Sequence, residues 1–84
     1  MNKKNKIIAL INKAIEITNS DKTWSEKYEE ITYLRIFEFI NDNGYSFTWN
    51  IPKEDSLCFQ VTSYVNQLIS FKIKMNWTKN EKRV

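Results

Sequence analysis

The chain has 84 residues, of which 42% are hydrophobic and 27% charged, with a net charge of +3 and one cysteine. A chain this short makes one domain with a thin core, because it buries only about 60–65% of its unfolded surface. The single cysteine excludes an intramolecular disulfide, and the absence of histidine excludes the usual zinc sites and histidine-based triads. We expect one domain over residues 1–84, with no metal and no cofactor.

The positive charge is concentrated at the two ends of the chain. Residues 1–14 carry four lysines and residues 61–84 carry five bases and one acid, whereas residues 15–60 carry nine acids and four bases. Asn12 and Lys13 interrupt the apolar run that follows the basic start, and no stretch approaches the roughly 18 apolar residues of a membrane span. We therefore expect a cytoplasmic protein with an acidic body and basic ends.

The first predicted element is a helix over residues 5–18. Its hydrophobic side chains recur at the spacing of one helix face. The members of this stripe are Ile7, Ile8, Ile11, Ala14, Ile15 and Thr18. The polar residues 19–21 end the pattern, since asparagine, serine and aspartate favour turns.

Residues 23–44 begin and end with helix signals. Thr23 and Glu26 have the spacing of a capping box, in which each side chain bonds to the backbone N–H of the other residue. Gly44, the only glycine, can take the left-handed conformation that ends a helix. The sequence therefore predicts helical structure between these two points.

The apolar period shifts by nearly half a turn inside this segment. The first stripe consists of Trp24, Tyr28 and Ile31, and the second consists of Tyr33, Ile36, Phe37 and Ile40. A straight helix would have to bury both sides, whereas a break lets both stripes face one core. We therefore predict a break near Thr32, between a second helix over 24–31 and a third over 33–42.

The rest of the chain supports two interpretations. Residues 45–51 alternate between apolar and polar side chains, as extended chain does. After them, helical spacing relates Leu57, Cys58, Val61, Tyr64, Val65, Leu68 and Ile69. This spacing predicts a fourth helix over about 54–74, with Leu68 in the core. The β-forming side chains of the same region also fit a meander of strands over 45–51, 57–65 and 69–77.

The first interpretation is the favoured one, because residues 65–68 make a poor turn between strands. We expect an all-α, four-helix domain with an extended aromatic connection at 45–51 and a frayed tail at 78–84. The alternative is an α+β domain with two or three helices on a small antiparallel sheet.

Three groups of side chains are candidates for function. Glu26, Glu29 and Glu30 form either a solvated helix face or an acidic binding face, and nothing beside them supports acid–base catalysis. Tyr45, Phe47 and Trp49 pack against the core or form a binding anchor. The basic residues of the two ends form a solvated rim or, if the ends converge, a phosphate-binding patch; they are Lys3, Lys4, Lys6, Lys72 and Lys74. Cys58 is interpreted as a small core residue.

Two stretches resemble a known family. Residues 14–17 with 20–31, and residues 47–52 with 61–68, are similar to small helical immunity proteins encoded beside bacterial contact-dependent growth inhibition (CDI) toxins. The segment before the last helix tends to be more acidic in that family, and both ends of this chain are more basic, so the toxin class stays open. The resemblance implies a non-enzymatic cytoplasmic inhibitor that binds a toxin domain, often a nuclease, and occludes its active site.

The residues are compatible with such a role, because an acidic surface with exposed aromatic side chains suits a basic nuclease cleft. The expected toxin-binding residues are Glu26, Glu29, Glu30, Glu38, Asp42, Tyr45, Trp49, Glu54 and Asp55. The expected partner is the cognate toxin, the C-terminal nuclease-type domain of a large secreted protein, bound by a monomer in a one-to-one complex. No catalytic residue, membrane contact or direct nucleic-acid binding is expected.

Two other functions stay open. The runner-up is a small nucleic-acid-binding protein that uses the basic ends of the chain. A phage-encoded inhibitor of a host nuclease would share the physics of the immunity protein and differ in genomic context.

Overall fold

The structure is a computed structural model that describes residues 3–49 and 55–81, and the side chains of 3–49 and 55–75. Its helices are α1 (Lys3–Thr18), α2 (Trp24–Tyr33), α3 (Ile36–Asp42) and α4 (Leu57–Glu81). These residues contain no strand, so the all-α expectation is confirmed and the meander is wrong. Three helices have ten residues or more, and α3 has seven. The predicted count of four therefore depends on treating this short segment as a helix of its own.

The junction between α1 and α2 is fixed by two side chains of α2. The capping box is present, since the Glu26 N–H donates to Thr23 Oγ1 at 3.2 Å and the Thr23 N–H donates to Glu26 Oε1 at 2.9 Å. Lys27, which the sequence pattern did not single out, is buried. Its Nζ donates to the Thr18 carbonyl at 2.8 Å, at the end of α1, and lies 4.0 Å from the centre of the Trp24 ring.

The predicted break between α2 and α3 exists, but it lies at Leu34 and Arg35 rather than at Thr32. Arg35 has φ 52° and ψ 42°, which is the left-handed conformation. The N–H groups of Leu34 and Arg35 close the end of α2 by donating to carbonyls three residues earlier, at 3.2 and 3.1 Å.

The position of the break decides where Tyr33 points. Tyr33 was expected in the buried stripe of the third helix, but 86% of it is exposed. It still belongs to α2, where it lies about 200° around the helix from buried Ile31. The buried stripe begins only after the break, with Ile36 and Ile40.

The end of α3 and the connection that follows are held by backbone bonds and one amide. Gly44 has φ 88°, as predicted for the residue that ends this helix, and the Tyr45 N–H donates to the Ile40 carbonyl at 3.3 Å. The Asn41 side-chain amide donates to the Phe47 carbonyl at 3.0 Å, and the Phe47 N–H donates to Asn41 Oδ1 at 3.3 Å. Residues 45–49 are neither helix nor strand, which agrees with the predicted connection, and residues 50–54 lie outside the described residues.

The start of α4 differs from the prediction. Ser56, and not residue 54 or 55, precedes the helix, and its Oγ accepts from the Phe59 N–H at 3.2 Å as an N-cap. Cys58, expected in the core, is exposed at the first turn. The helix continues to Glu81, so the first part of the tail predicted as frayed is helical, and residues 82–84 lie outside the described residues.

The core lies between α4 and the other three helices. α4 packs against both α1 and α2, and α1 also contacts α2 and α3. The side chains with no exposed surface that are largest in volume come from three helices; they are Ile7, Ile11, Ile36, Ile40 and Leu68. A single apolar layer therefore joins all parts of the described chain.

We expect Leu68→Ala to lower the free energy of unfolding by about 2–5 kcal/mol, because Leu68 is fully buried and its removal leaves a cavity. The matched control is Ile73→Ala on the same helix, where the side chain is 52% exposed and the expected change is about 0.5 kcal/mol. Urea unfolding followed by circular dichroism measures both. Equal effects of the two changes would contradict the assigned face of α4.

Arg35 provides a test of the left-handed break. Arg35→Gly and Arg35→Ala both remove the ion pair with Glu38, so their difference reports the backbone conformation alone. We expect the glycine variant to be more stable than the alanine variant by about 1 kcal/mol, because alanine is strained at positive φ. In a continuous helix the order would be reversed by about the same amount, and urea unfolding of the pair distinguishes the two cases.

Candidate protein-binding surfaces

The outer side of α2 carries acids around an exposed aromatic ring. Glu26, Glu29 and Tyr33 are spaced three and four residues apart, so they lie on one face of the helix, and all three are exposed. Glu30 adjoins them and is half-buried. We refer to Glu26, Glu29, Glu30 and Tyr33 as the acidic α2 face.

Two of these acids already have partners within the chain. Glu26 closes the capping box, and the hydrogen bond from the Thr23 backbone, followed by the one from its side chain, lowers the Glu26 pKa. Glu30 lies 2.7 Å from Lys22 Nζ, and this contact raises the pKa of Lys22. Glu29 has neither a hydrogen bond nor an ion pair with the described residues, so its charge is the one most open to a partner.

A shallow groove borders this face where α1 meets α2. Its walls come from the two helices and enclose about 350 Å³; they are Lys13, Ile17, Glu29, Glu30, Tyr33 and Leu34. Lys13 is paired with Glu16 at 3.2 Å, so the basic side chain at the rim is partly neutralised. The acidic α2 face therefore combines an exposed ring, an unpaired carboxylate and an apolar depression.

The remaining acids of the predicted site do not join this face. Glu38 is held by Arg35 through bonds of 2.9 and 3.1 Å. Asp42 is exposed at the end of α3, and Asp55 precedes α4, where its carbonyl accepts from the Gln60 side chain at 2.6 Å. Glu54 lies outside the described residues. The nine residues predicted as one contact set therefore lie in several places.

The two aromatic anchors that the sequence suggested are less accessible than Tyr33. Tyr45 is 36% exposed, and its ring meets the edge of the Phe71 ring at 5.8 Å between centroids. Trp49 is half-buried, and the centroid of its ring lies 4.5 Å from that of the Tyr64 ring. Phe47, between them in the sequence, is buried among aromatic rings. The connection is therefore mainly part of the core.

Trp49 and Tyr64 form two walls of a partly enclosed pocket of about 140 Å³, which we call the Trp49 pocket. Its other walls come from α2, α3, the junction between them and α4; they are Tyr28, Ile31, Thr32, Arg35, Phe37, Glu38, Gln60 and Val61. The indole nitrogen of Trp49 is inaccessible to solvent and has no hydrogen-bond acceptor among the described residues. Burial raises the pKa of Tyr64 to about 12, against a smaller opposing effect of the Phe37 backbone N–H.

The basic ends of the chain converge. Lys4 Nζ donates to the Met75 carbonyl at 3.5 Å, and Lys72 Nζ donates to Asn12 Oδ1 at 2.8 Å. Lys3 and Lys6 are exposed on the first turn of α1, and Lys74 is exposed on α4 near Met75. Lys4 thus joins the start of α1 to the second half of α4, whereas Lys72 contacts the third turn of α1 and Lys6 lies 5.9 Å from the centre of the Phe39 ring on α3.

Metal-binding groupings of three or more histidine, cysteine, aspartate or glutamate residues do not occur in the described part of the chain. None of the helices within residues 3–49 and 55–81 combines the length and the apolar run needed to cross a bilayer. In comparisons with protein-family models, curated proteins and solved structures, nothing matched this chain. The function must therefore be argued from the surfaces described above.

The high pKa of Tyr64 predicts a pH dependence of stability. The folded value of about 12 exceeds the ordinary value of 10.0. The raised pKa means that protonated Tyr64 adds to the free energy of unfolding. This contribution is fully present below pH 10 and is lost as the pH rises towards 12. The loss is at most about 2–3 kcal/mol. Urea unfolding across this range should show a smaller decline for Tyr64→Phe than for the natural chain. An unchanged decline in Tyr64→Phe would contradict the assignment.

Proposed function

We propose that the chain is an immunity protein that binds a cognate toxin domain through the acidic α2 face and neutralises it by occluding its active site. The observation that carries this proposal is Tyr33, an aromatic side chain that is 86% exposed between carboxylates of the same helix. Exposed tyrosines are typical anchors of protein interfaces, because they bury a large area and donate a hydrogen bond.

The charge around Tyr33 supports a basic partner. A nuclease presents a basic cleft to its substrate, and a negative surface is drawn to such a cleft and can fill it. Glu29 supplies a carboxylate that no described residue neutralises, while Glu26 and Glu30 are fixed in place by their own contacts. Glu26 and Glu30 therefore add less to the attraction than Glu29, because their fields are partly cancelled within the chain.

The proposal includes the features that the CDI resemblance implies. The partner would be the C-terminal, nuclease-type toxin domain of a large secreted protein, bound in the cytoplasm by one copy of this chain. The chain would act by occupation of the toxin and not by turnover. Cognate binding near nanomolar affinity corresponds to about −12 kcal/mol.

A second candidate function is nucleic-acid binding, which the convergence of the basic ends favours. Lys4 contacts the Met75 carbonyl, next in sequence to Lys74, and Lys72 contacts Asn12 of α1. Such a cluster would bind phosphates with an affinity that falls steeply as salt is added. Two of the lysines, Lys4 and Lys72, already donate to groups of the chain itself, which weakens this candidate relative to the first.

The proposed anchor is tested with Tyr33→Ala, measured against the toxin domain encoded beside the gene for this chain. We expect a loss of about 2–4 kcal/mol in binding, mostly as faster dissociation, because truncation removes a buried contact. The matched control is Phe59→Ala, which removes an aromatic ring that is 50% exposed on α4 and outside the acidic α2 face. Equal dissociation rates for the two variants would contradict the proposal.

The charge of the face is tested with Glu29→Lys and with Lys74→Glu as the opposite change. If the α2 face meets a basic cleft, Glu29→Lys should slow association with the toxin, most strongly at low salt, and Lys74→Glu should not. The nucleic-acid function predicts the reverse, with Lys74→Glu weakening the binding of mixed RNA. Growth of cells that express the toxin domain reports protection in parallel. Full protection by Glu29→Lys, with unchanged association, would contradict an acidic contact surface.

A further inference from the structure

The connection after α3 has the backbone arrangement of an extended chain around Phe47. Its N–H and its C=O both bond to the one side-chain amide of Asn41, so these two groups lie on the same side of the chain. That is how the two groups of one residue point in a β-strand, whereas in a helix they point in opposite directions along the axis. Side-chain exposure alternates as well, since Phe47 is buried between exposed Ser46 and Thr48.

The two edges of this extended segment differ in their hydrogen bonding. On one edge, Tyr45 donates to a carbonyl of α3 and Phe47 bonds to the amide of Asn41. Neighbouring residues of an extended chain direct their backbone groups to opposite edges, so those of Ser46 and Thr48 face away from α3. These groups have no hydrogen-bond partner among the described residues. The segment therefore presents one unpaired strand edge.

A groove of about 640 Å³ lies along the unpaired edge, and we call it the edge groove. Ser46 and Thr48 line one side of it and α4 lines the other, while none of its described walls belongs to α3. The α4 side is mostly polar and uncharged; its described members are Asn66, Gln67, Ser70, Phe71 and Lys74. The volume falls within the range of about 300–1,000 Å³ that is typical of ligand sites.

We propose that the edge groove binds an extended segment of a partner protein, which adds as a strand along Ser46 and Thr48. In an antiparallel pair, each of these residues exchanges both of its backbone hydrogen bonds with the residue opposite. An extended polypeptide carries donors and acceptors at the same two-residue repeat, and this match identifies the kind of occupant. Strand addition of this type derives its affinity from main-chain bonds.

The geometry favours a single strand over a second copy of this chain. An added strand lies between the unpaired edge and α4, so its own far edge must face α4. In a second copy the far edge of residues 45–48 is occupied by α3, through the bonds of Tyr45 and Phe47. That α3 would have to enter the space where α4 of the first copy lies.

The edge groove is tested on the free chain with the capped peptide acetyl-Thr-Val-Thr-Val-Thr-amide, whose residues favour the extended conformation. In a nitrogen–proton correlation spectrum, the Ser46 and Thr48 amide signals should move downfield and saturate, because each N–H gains an acceptor. The Phe47 amide, already bonded to Asn41, should not show this shift. The same peptide with every amide nitrogen methylated lacks the donors and should not bind. No saturable shift at Ser46 and Thr48, or equal binding of the methylated peptide, would overturn the proposal.

Thr48→Pro and Thr48→Val form a matched pair of variants. Proline removes the N–H from the unpaired edge and keeps both its own residue and the preceding one in the extended region. Valine keeps the N–H and removes only the hydroxyl. We expect the peptide to bind about tenfold more weakly to Thr48→Pro, the effect of losing one hydrogen bond, and with natural affinity to Thr48→Val. Binding is followed through the Ser46 amide, and circular dichroism verifies the fold. Equal affinities of the two variants would contradict strand addition.

Two further measurements identify the occupant and separate this inference from the proposed function. Sedimentation of the chain alone should show a monomer; a dimer that shifts the same two amides would make a second copy the occupant and overturn the assignment to a partner protein. The edge groove shares no described wall with the acidic α2 face. Tyr33→Ala should therefore leave the peptide affinity unchanged, and a loss there would contradict two separate surfaces.

Discussion

The left-handed residue between α2 and α3 decides which side chains of the middle of the chain are buried. Arg35 redirects the backbone so that Ile31 before it and Ile36 and Ile40 after it reach the same core. The left-handed conformation costs about 1–2 kcal/mol for a residue other than glycine. Burial of each isoleucine contributes about 1.5–3 kcal/mol, and two of them follow the break with no exposed surface. The packing gain therefore exceeds the local strain.

A second constraint comes from Lys27, which fixes the direction of α2 relative to α1. Its ammonium group satisfies a carbonyl at the end of α1, where the helix dipole favours positive charge, and it also lies against the face of the Trp24 ring. With Lys27 and Ile31 turned inwards, Glu26, Glu29 and Tyr33 must face outwards. The acidic α2 face is thus a consequence of how the inner side of the helix is packed.

The local signals at the two ends of residues 23–44 were reliable, and Leu68 was correctly placed in the core. The N-cap of α4, the position of the break and the burial of Lys27 were not predicted correctly. The start of α2 at Thr23 and the end of α3 at Gly44 were predicted correctly, because each depends on hydrogen bonds within a few residues. The break was placed too early because the apolar pattern shows that the phase changes without showing which residue takes the strain. Because the break lies after Tyr33 and not before it, Tyr33 is exposed on α2 instead of buried on α3. Lys27 was missed because its burial depends on a carbonyl nine residues away.

The acids illustrate why charge alone was a poor guide to the candidate site. Composition counts Glu26, Glu30 and Glu38 as equal to Glu29, yet each of the first three is already bound to a group of its own chain. A carboxylate that holds a cap or an ion pair adds less to long-range attraction than an unpaired one, because its field is partly cancelled nearby. Lys4 and Lys72 at the basic end are likewise engaged. Among the described residues, the surface best suited to a basic partner is therefore the one where exposed Tyr33 and Glu29 lie together.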